Sequence, residues 1–219
     1  MPFHSAATRL KKTSKHVNTQ DARSKEHASA KLMLYQLKIK LLRISPPVWR
    51  RVLVPSNFTL HDLHLVIQAS MGWTNSHLYA FRRGDAYFII PDTEFFDDYA
   101  DSRKVRVSSM LIPGKQQSIR YEYDFGDNWE HEVLLERIVP LEKGVRYPAC
   151  IKGKMACPPE DSGGVWGYHD KLQTIRNPKH PEYEETIEWM GDDIDPKDFD
   201  LELANERVRR YKKMDMTLY

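Results

Sequence analysis

No run of about 18 apolar residues occurs anywhere in the 219-residue chain, so no segment of it reads as a membrane-spanning helix. The N-terminus also lacks the apolar stretch of a secretory signal, and the expected location is cytoplasmic. Two cysteines are too few for a disulfide scaffold, which leaves them as reduced thiols or metal ligands. The common catalytic signatures are missing too: there is no G-x-S-x-G, no H-E-x-x-H and no G-x-x-x-x-G-K-[ST], and Pro113-Gly114-Lys115 is only a loop. Excess charge of one sign is absent from most of the chain. Lys and Arg number 33 against 31 acids, and beyond residue 31 the balance is 26 against 29. A slightly acidic body excludes a large duplex-nucleic-acid surface, which needs clustered cations facing phosphates.

What is present suits a buried globular core, with 41% apolar and 11% aromatic residues. Residues 1–31, with seven Lys/Arg and two acids, read as a disordered basic tail, and 32–213 as one domain. Within it, Met33, Tyr35, Leu37, Ile39 and Leu41 alternate with polar residues and predict a half-buried strand. After Ser45-Pro46-Pro47 a second strand is predicted over Val48 to Val54. Thr59 and Asp62 form a capping signal for a helix whose stripe of Leu60, Leu63, Ile67 and Met71 stops at Gly72.

Two strands, His77 to Arg82 and Ala86 to Ile90, flank the turn Arg83-Gly84-Asp85, and Asp92 to Asp101 reads as acidic loop. Ile119, Tyr121, Tyr123 and Phe125, then Trp129, His131, Val133 and Leu135, predict an amphipathic hairpin turning at Gly126-Asp127-Asn128. Pro140 to Gly167 reads as irregular, and helices follow over Tyr168 to Arg176, Glu182 to Met190 and Leu201 to Lys213. Strands first and helices last predict an α+β fold: a mixed or largely antiparallel sheet with packed helices and a helical C-terminal third.

The chemistry-bearing residues gather around the hairpin and the irregular stretch. His131, Cys150 and Cys157, with His77, would give zinc nitrogen and sulfur ligands and pin the loop to the sheet. The same residues also read as a core histidine beside two buried thiols. His61 and His64 share a helix face three residues apart, and solvated helix histidines are the expectation there. Glu160 and Asp161, between two prolines and two glycines, are candidates for acid–base work, divalent-ion binding or holding a cationic group. Asp124 and Asp127 join them as binding candidates, with Asp127 a turn former as well. Tyr123 and Trp129 offer faces for stacking, although alternating strand aromatics usually build cores. Cys157 with His131 as base is a further nucleophile candidate.

Three motifs carry a resemblance. Tyr35-x-Leu37-x-x-x-Leu41-x-x-x-x-Pro46-Pro47-x-Trp49-Arg50-Arg51, Tyr123-Asp124-Phe125-Gly126-Asp127-x-Trp129-x-His131 and Cys157-Pro158-Pro159-Glu160-Asp161-x-Gly163-Gly164 are similar to the plasmid pRiA4b ORF-3-like family. The likeness runs from about residue 32 to 210, with support from Gly72-Trp73, Ser76-His77-Leu78 and Pro148-Ala149-Cys150. It implies an α+β domain of a kind also carried as a passenger on mobile elements, and it implies no reaction. It also implies that His131, Cys150, Cys157, Glu160 and Asp161 act together.

The expected function is a non-enzymatic binding or accessory module, with a ligand or protein-partner groove at the hairpin and the Cys-Pro-Pro-Glu-Asp loop. The alternatives are a zinc-dependent hydrolase using Glu160 or Asp161 as base, and a nucleic-acid accessory factor working through the basic tail.

Overall fold

The computed structural model describes residues 32–91, 99–191 and 195–217. The expected basic tail, and residues 92–98 of the expected acidic loop, lie outside the described residues. Eight strands form one sheet in the order β5-β4-β3-β6-β7-β1-β2-β8. The strands are β1 Met33–Leu41, β2 Trp49–Pro55, β3 Tyr79–Arg83, β4 Ala86–Ile89, β5 Ala100–Asp101, β6 Ser118–Tyr123, β7 Trp129–Pro140 and β8 Ala149–Lys154. All pairings are antiparallel except β4 with β5, so the sheet is mixed.

The central strands follow their period-two patterns. In β6 and β7, Ile119, Tyr121, Tyr123, Trp129, His131, Val133 and Leu135 are all buried, as alternation requires of one face against a core. The first half of β1 is buried on both faces. Gln36 sits inside because its amide joins Glu136 at 2.6 Å and accepts from Arg137 at 2.8 Å. Glu136 also receives Arg51 at 2.5 and 2.7 Å, and that paired guanidinium draws its carboxyl below the usual range.

Helix α1, Leu60–Met71, begins at a capping box of Thr59 and Asp62 and ends at Gly72, whose φ of 99° suits glycine. All its residues except Asp62 are buried. It lies beneath α5, Leu201–Arg209, and a 3₁₀ segment, Tyr211–Thr217, as well as beside the sheet. That double cover corrects the expectation of solvated His61 and His64: a helix enclosed on two sides buries its polar stripe too.

The α+β class stands, but the helices are not confined to the C-terminal third. Helix α1 and the one-turn α2, Val107–Met110, are interspersed among strands, with α3, Gly164–Thr174, and α4, Tyr183–Met190, following β8. Strand β8 lies inside the stretch read as irregular. It is an edge strand burying only Cys150 fully, so it has no alternating signature to read. Helix α3 starts four residues before the expected Tyr168, because Gly163-Gly164 opens the helix instead of ending a loop. The last expected helix stops at Arg209 and continues as the 3₁₀ segment. Among the described residues, no helix is long and apolar enough to cross a membrane.

Candidate functional site

Strand β6 ends at Tyr123, and the chain reverses over Asp124 to Asn128. Asp124 and Asn128 take φ of 57° and 56°, values that Asp and Asn tolerate better than other side chains. Asp124 Oδ1 accepts from the amides of Gly126 and Asp127 at 3.0 and 3.3 Å, so the carboxylate is built into the turn and is buried. Phe125, expected on the inward face, is exposed because the turn begins one residue before it.

Residues 155–164 then fold back across this turn. Trp73 Nε1 donates to Pro158 O at 2.9 Å, and Gly163 N donates to Asp127 Oδ2 at 3.1 Å. Glu160 is fixed by three donors. Tyr123 Oη gives a short bond to Oε1, and Thr74 gives its amide at 2.8 Å and its hydroxyl at 2.5 Å to Oε2. Tyr123 Oη itself accepts from the amides of Ser76 and His77 at 3.0 and 3.3 Å. A carboxylate so saturated acts as a strut tying the loop to β6 and to the segment after α1.

The strut sets Asp161 beside His77 and Asp124. His77 Nε2 lies 3.2 Å from Asp161 Oδ1 and 3.7 Å from Asp124 Oδ2. It is shielded from solvent yet makes no hydrogen bond of acceptable geometry to either. The three ligating atoms lie within 4.8 Å of one another, and this is the one His/Cys/Asp/Glu group of that kind among the described residues. His77 precedes β3 instead of opening it, so its ring leaves the expected line with Tyr79 and Phe81.

The other expected ligands are not brought together with it. His131 is fully buried, with ring neighbours Trp73 at 5.5 Å and Tyr121 at 5.2 Å, and neither nitrogen has a hydrogen-bond partner among the described residues. Burial drives its pKa down to about 3, against a smaller opposing pull from the backbone at Trp129 and Tyr121. Cys150 sits on β8, its backbone clasped by Asn205 at 2.9 and 2.6 Å. Burial pushes the Cys157 thiol up to about 12, with Arg50 opposing. A protonated thiol and an imidazole that stays neutral do not form an activated nucleophile pair. Tyr123 and Trp129 are completely enclosed, so they carry Glu160 and fill the core without offering a stacking face.

Sequence reading missed Thr74 as a contributor and met Ser76 only within the family likeness. The only other local signal for both was their place just after the helix stop at Gly72.

Gly164 makes the docking of loop on hairpin possible. Its φ is 66°, and a Cβ there would meet Asp127 O at 2.4 Å. Gly164→Ala is expected to cost about 2–4 kcal/mol. Gly144→Ala, with φ of 84° but open space around it, should cost about 1 kcal/mol. Urea unfolding of both variants separates the clash from the backbone strain, and equal costs would mean that the loop does not press on the turn.

The chain is 43% identical over 170 residues to "Uncharacterized protein y4hQ" of Sinorhizobium fredii (strain NBRC 101917 / NGR234), covering 78% of this chain and 85% of that protein. Its fold is similar to the crystal structure of a protein of unknown function, MM3350 from Methanosarcina mazei Go1. The TM-score is 0.74 at 40% identity, over 78% of this chain and 97% of the other. Residues 33–203, which hold the sheet, the hairpin and the loop laid across it, match the family described as plasmid pRiA4b ORF-3-like protein, and the chain belongs to that family.

Proposed function

We propose that the chain is a non-enzymatic binding module whose ligand docks where loop 155–164 crosses the β6–β7 turn, with a divalent cation held by His77, Asp124 and Asp161. The observation that carries this reading is the His77 nitrogen, shielded from water and facing two carboxylate oxygens without a hydrogen bond. One imidazole and two carboxylates suit an ion such as Mn²⁺ or Zn²⁺, whereas the sulfur-rich set expected from sequence would have selected Zn²⁺. Asp124 is pre-set by its turn, and Asp161 is placed by the Glu160 strut beside it. Both supports hold the carboxylates before any ion arrives.

The non-enzymatic part rests on how the reactive candidates are used. Glu160 is engaged by three donors, Cys157 stays protonated, and His131 is sealed in the core. A metal-dependent hydrolase built on the same triad is the second reading.

Calorimetric titration of the full chain with Mn²⁺ and Zn²⁺ tests the proposal. One saturable site should appear in the parent chain, and Asp161→Asn, an exposed change, should weaken it at least about tenfold. Absence of saturable binding of either ion removes the cation. Turnover of ester, peptide or phosphodiester probes by the loaded chain would replace the binding module with the hydrolase.

A further inference from the structure

The Trp49-Arg50-Arg51 run places two guanidinium groups on opposite faces of β2. Arg51 meets Glu136 on one face. Arg50 turns inward, is 2% exposed, and has no carboxylate within 4.0 Å among the described residues. Its Nε donates to Ser70 O at 2.9 Å, and its Nη1 donates to Trp49 O, Lys154 O and Met155 O at 3.0, 3.1 and 3.0 Å. Carbonyls, including one at the C-terminal end of α1, thus satisfy two of the three nitrogens, and Nη2 has no partner among the described residues. Phe199 stacks 4.2 Å from the guanidinium carbon. A buried cation with no counter-ion is costly, and burial already draws the Arg50 pKa down.

Arg50 lines a cavity of about 630 Å³, a size typical of small-ligand sites. A second guanidinium, that of Arg207, lines the same cavity and has no ion-pair partner among the described residues. It occupies the space left by the missing side chain of Gly72, where a Cβ would stand 2.5 Å from its Nη1. Two cations therefore border the cavity near the C-terminal end of α1. Asp195 and Asp198 border it too, and Trp73 and Phe199 add apolar wall.

We propose that this cavity binds a small zwitterion of the free α-amino acid class: its carboxylate meets Arg50 Nη2 and Arg207, its ammonium meets Asp195 and Asp198, and its apolar part lies against Trp73 and Phe199. The acids decide between oxyanions. A phosphate dianion would add two charges among Glu160, Asp195, Asp198 and Asp200, all of which line the cavity, whereas a carboxylate adds one and brings its own cation. Arg207 can offer its fork to the carboxylate, while Arg50, with Nε and Nη1 already bound to carbonyls, offers Nη2 alone.

Calorimetry on the full chain with L-leucine as probe tests this, alongside 4-methylpentanoate, 3-methylbutylamine and inorganic phosphate. L-Leucine should bind saturably, and each half-ligand should bind at least about tenfold more weakly. Phosphate should give no heat of binding. Arg207→Gln, at an exposed position, should weaken L-leucine about tenfold while leaving the thermal midpoint in place. No saturable L-leucine binding up to about 10 mM would overturn the proposal. So would unchanged affinity in Arg207→Gln, 4-methylpentanoate binding as well as L-leucine, or phosphate binding more tightly.

Discussion

Replacing His64 by leucine is expected to lower the free energy of unfolding by about 3–5 kcal/mol, although leucine is apolar and fills a similar space. The ring is wholly enclosed and stacks 3.6 Å from Tyr79 at an 8° tilt. Its Nε2 faces Asn75 Oδ1 at 2.6 Å and so carries the proton; its Nδ1 then accepts from Tyr121 Oη at 2.8 Å. Gln68 completes the circuit, donating to Tyr121 Oη at 2.9 Å and accepting from the Asn75 amide at 3.2 Å.

Leucine would leave the Asn75 oxygen and the Tyr121 hydroxyl proton unpaired where water cannot reach them, at about 1–3 kcal/mol each, and would lose the ring stack. His61 gives the contrast. Its Nδ1 meets Tyr79 Oη at 2.8 Å and its Nε2 meets the half-exposed Asp215 at 2.9 Å, so water can replace part of what is lost. His61→Leu should cost about 1–2 kcal/mol. Urea midpoints of the two variants are the measurement, and equal losses would mean that the enclosed circuit does not stabilise the core as described.

Acid should weaken the fold well above the range where carboxylates titrate. In the folded chain His131 remains neutral down to about pH 3 because burial opposes its charge, whereas in the unfolded chain it protonates near its ordinary value of about 6.5. Between those values the unfolded chain binds the extra proton, so stability rises with pH across the window and is lost as pH falls. Going from pH 7 to 5 should remove about 2 kcal/mol through His131. His64, held well below its ordinary value by burial and by the nearby His61, adds a loss of the same sign.

His131→Phe isolates the first contribution, since phenylalanine keeps a ring beside Trp73 and Tyr121 and cannot titrate. Its unfolding free energy should fall about 2 kcal/mol less than that of the parent between pH 7 and 5. Parallel pH profiles for the two chains would show that His131 is reached by protons in the folded state.

Most of the sheet was legible because its code is local. The alternation of Ile119 to Leu135, the Thr59–Asp62 box and the Gly72 stop each act within a few residues, and each appears where periodicity and capping place it. β8 escaped because an edge strand buries too little to show a pattern, and α3 because paired glycines read as loop. The folding of the irregular stretch over the hairpin was expected, and Asp124, Asp127, Glu160, Asp161 and His77 do meet there. The sulfur ligands do not join them, since thiol count and loop length say nothing of where a thiol points.

From the sequence alone came the α+β class, the strand and helix stops of the central elements, and the family likeness in three motifs, all carried by side chains near one another along the chain. Only the folded structure decided which polar groups face each other. His64 meets Tyr121 across 57 positions, Tyr123 meets Glu160 across 37, and Arg50 meets Met155 across 105. Such pairs follow from strand order and helix docking, and burial from both sides turned a histidine face that looked solvated into the best-paired part of the core.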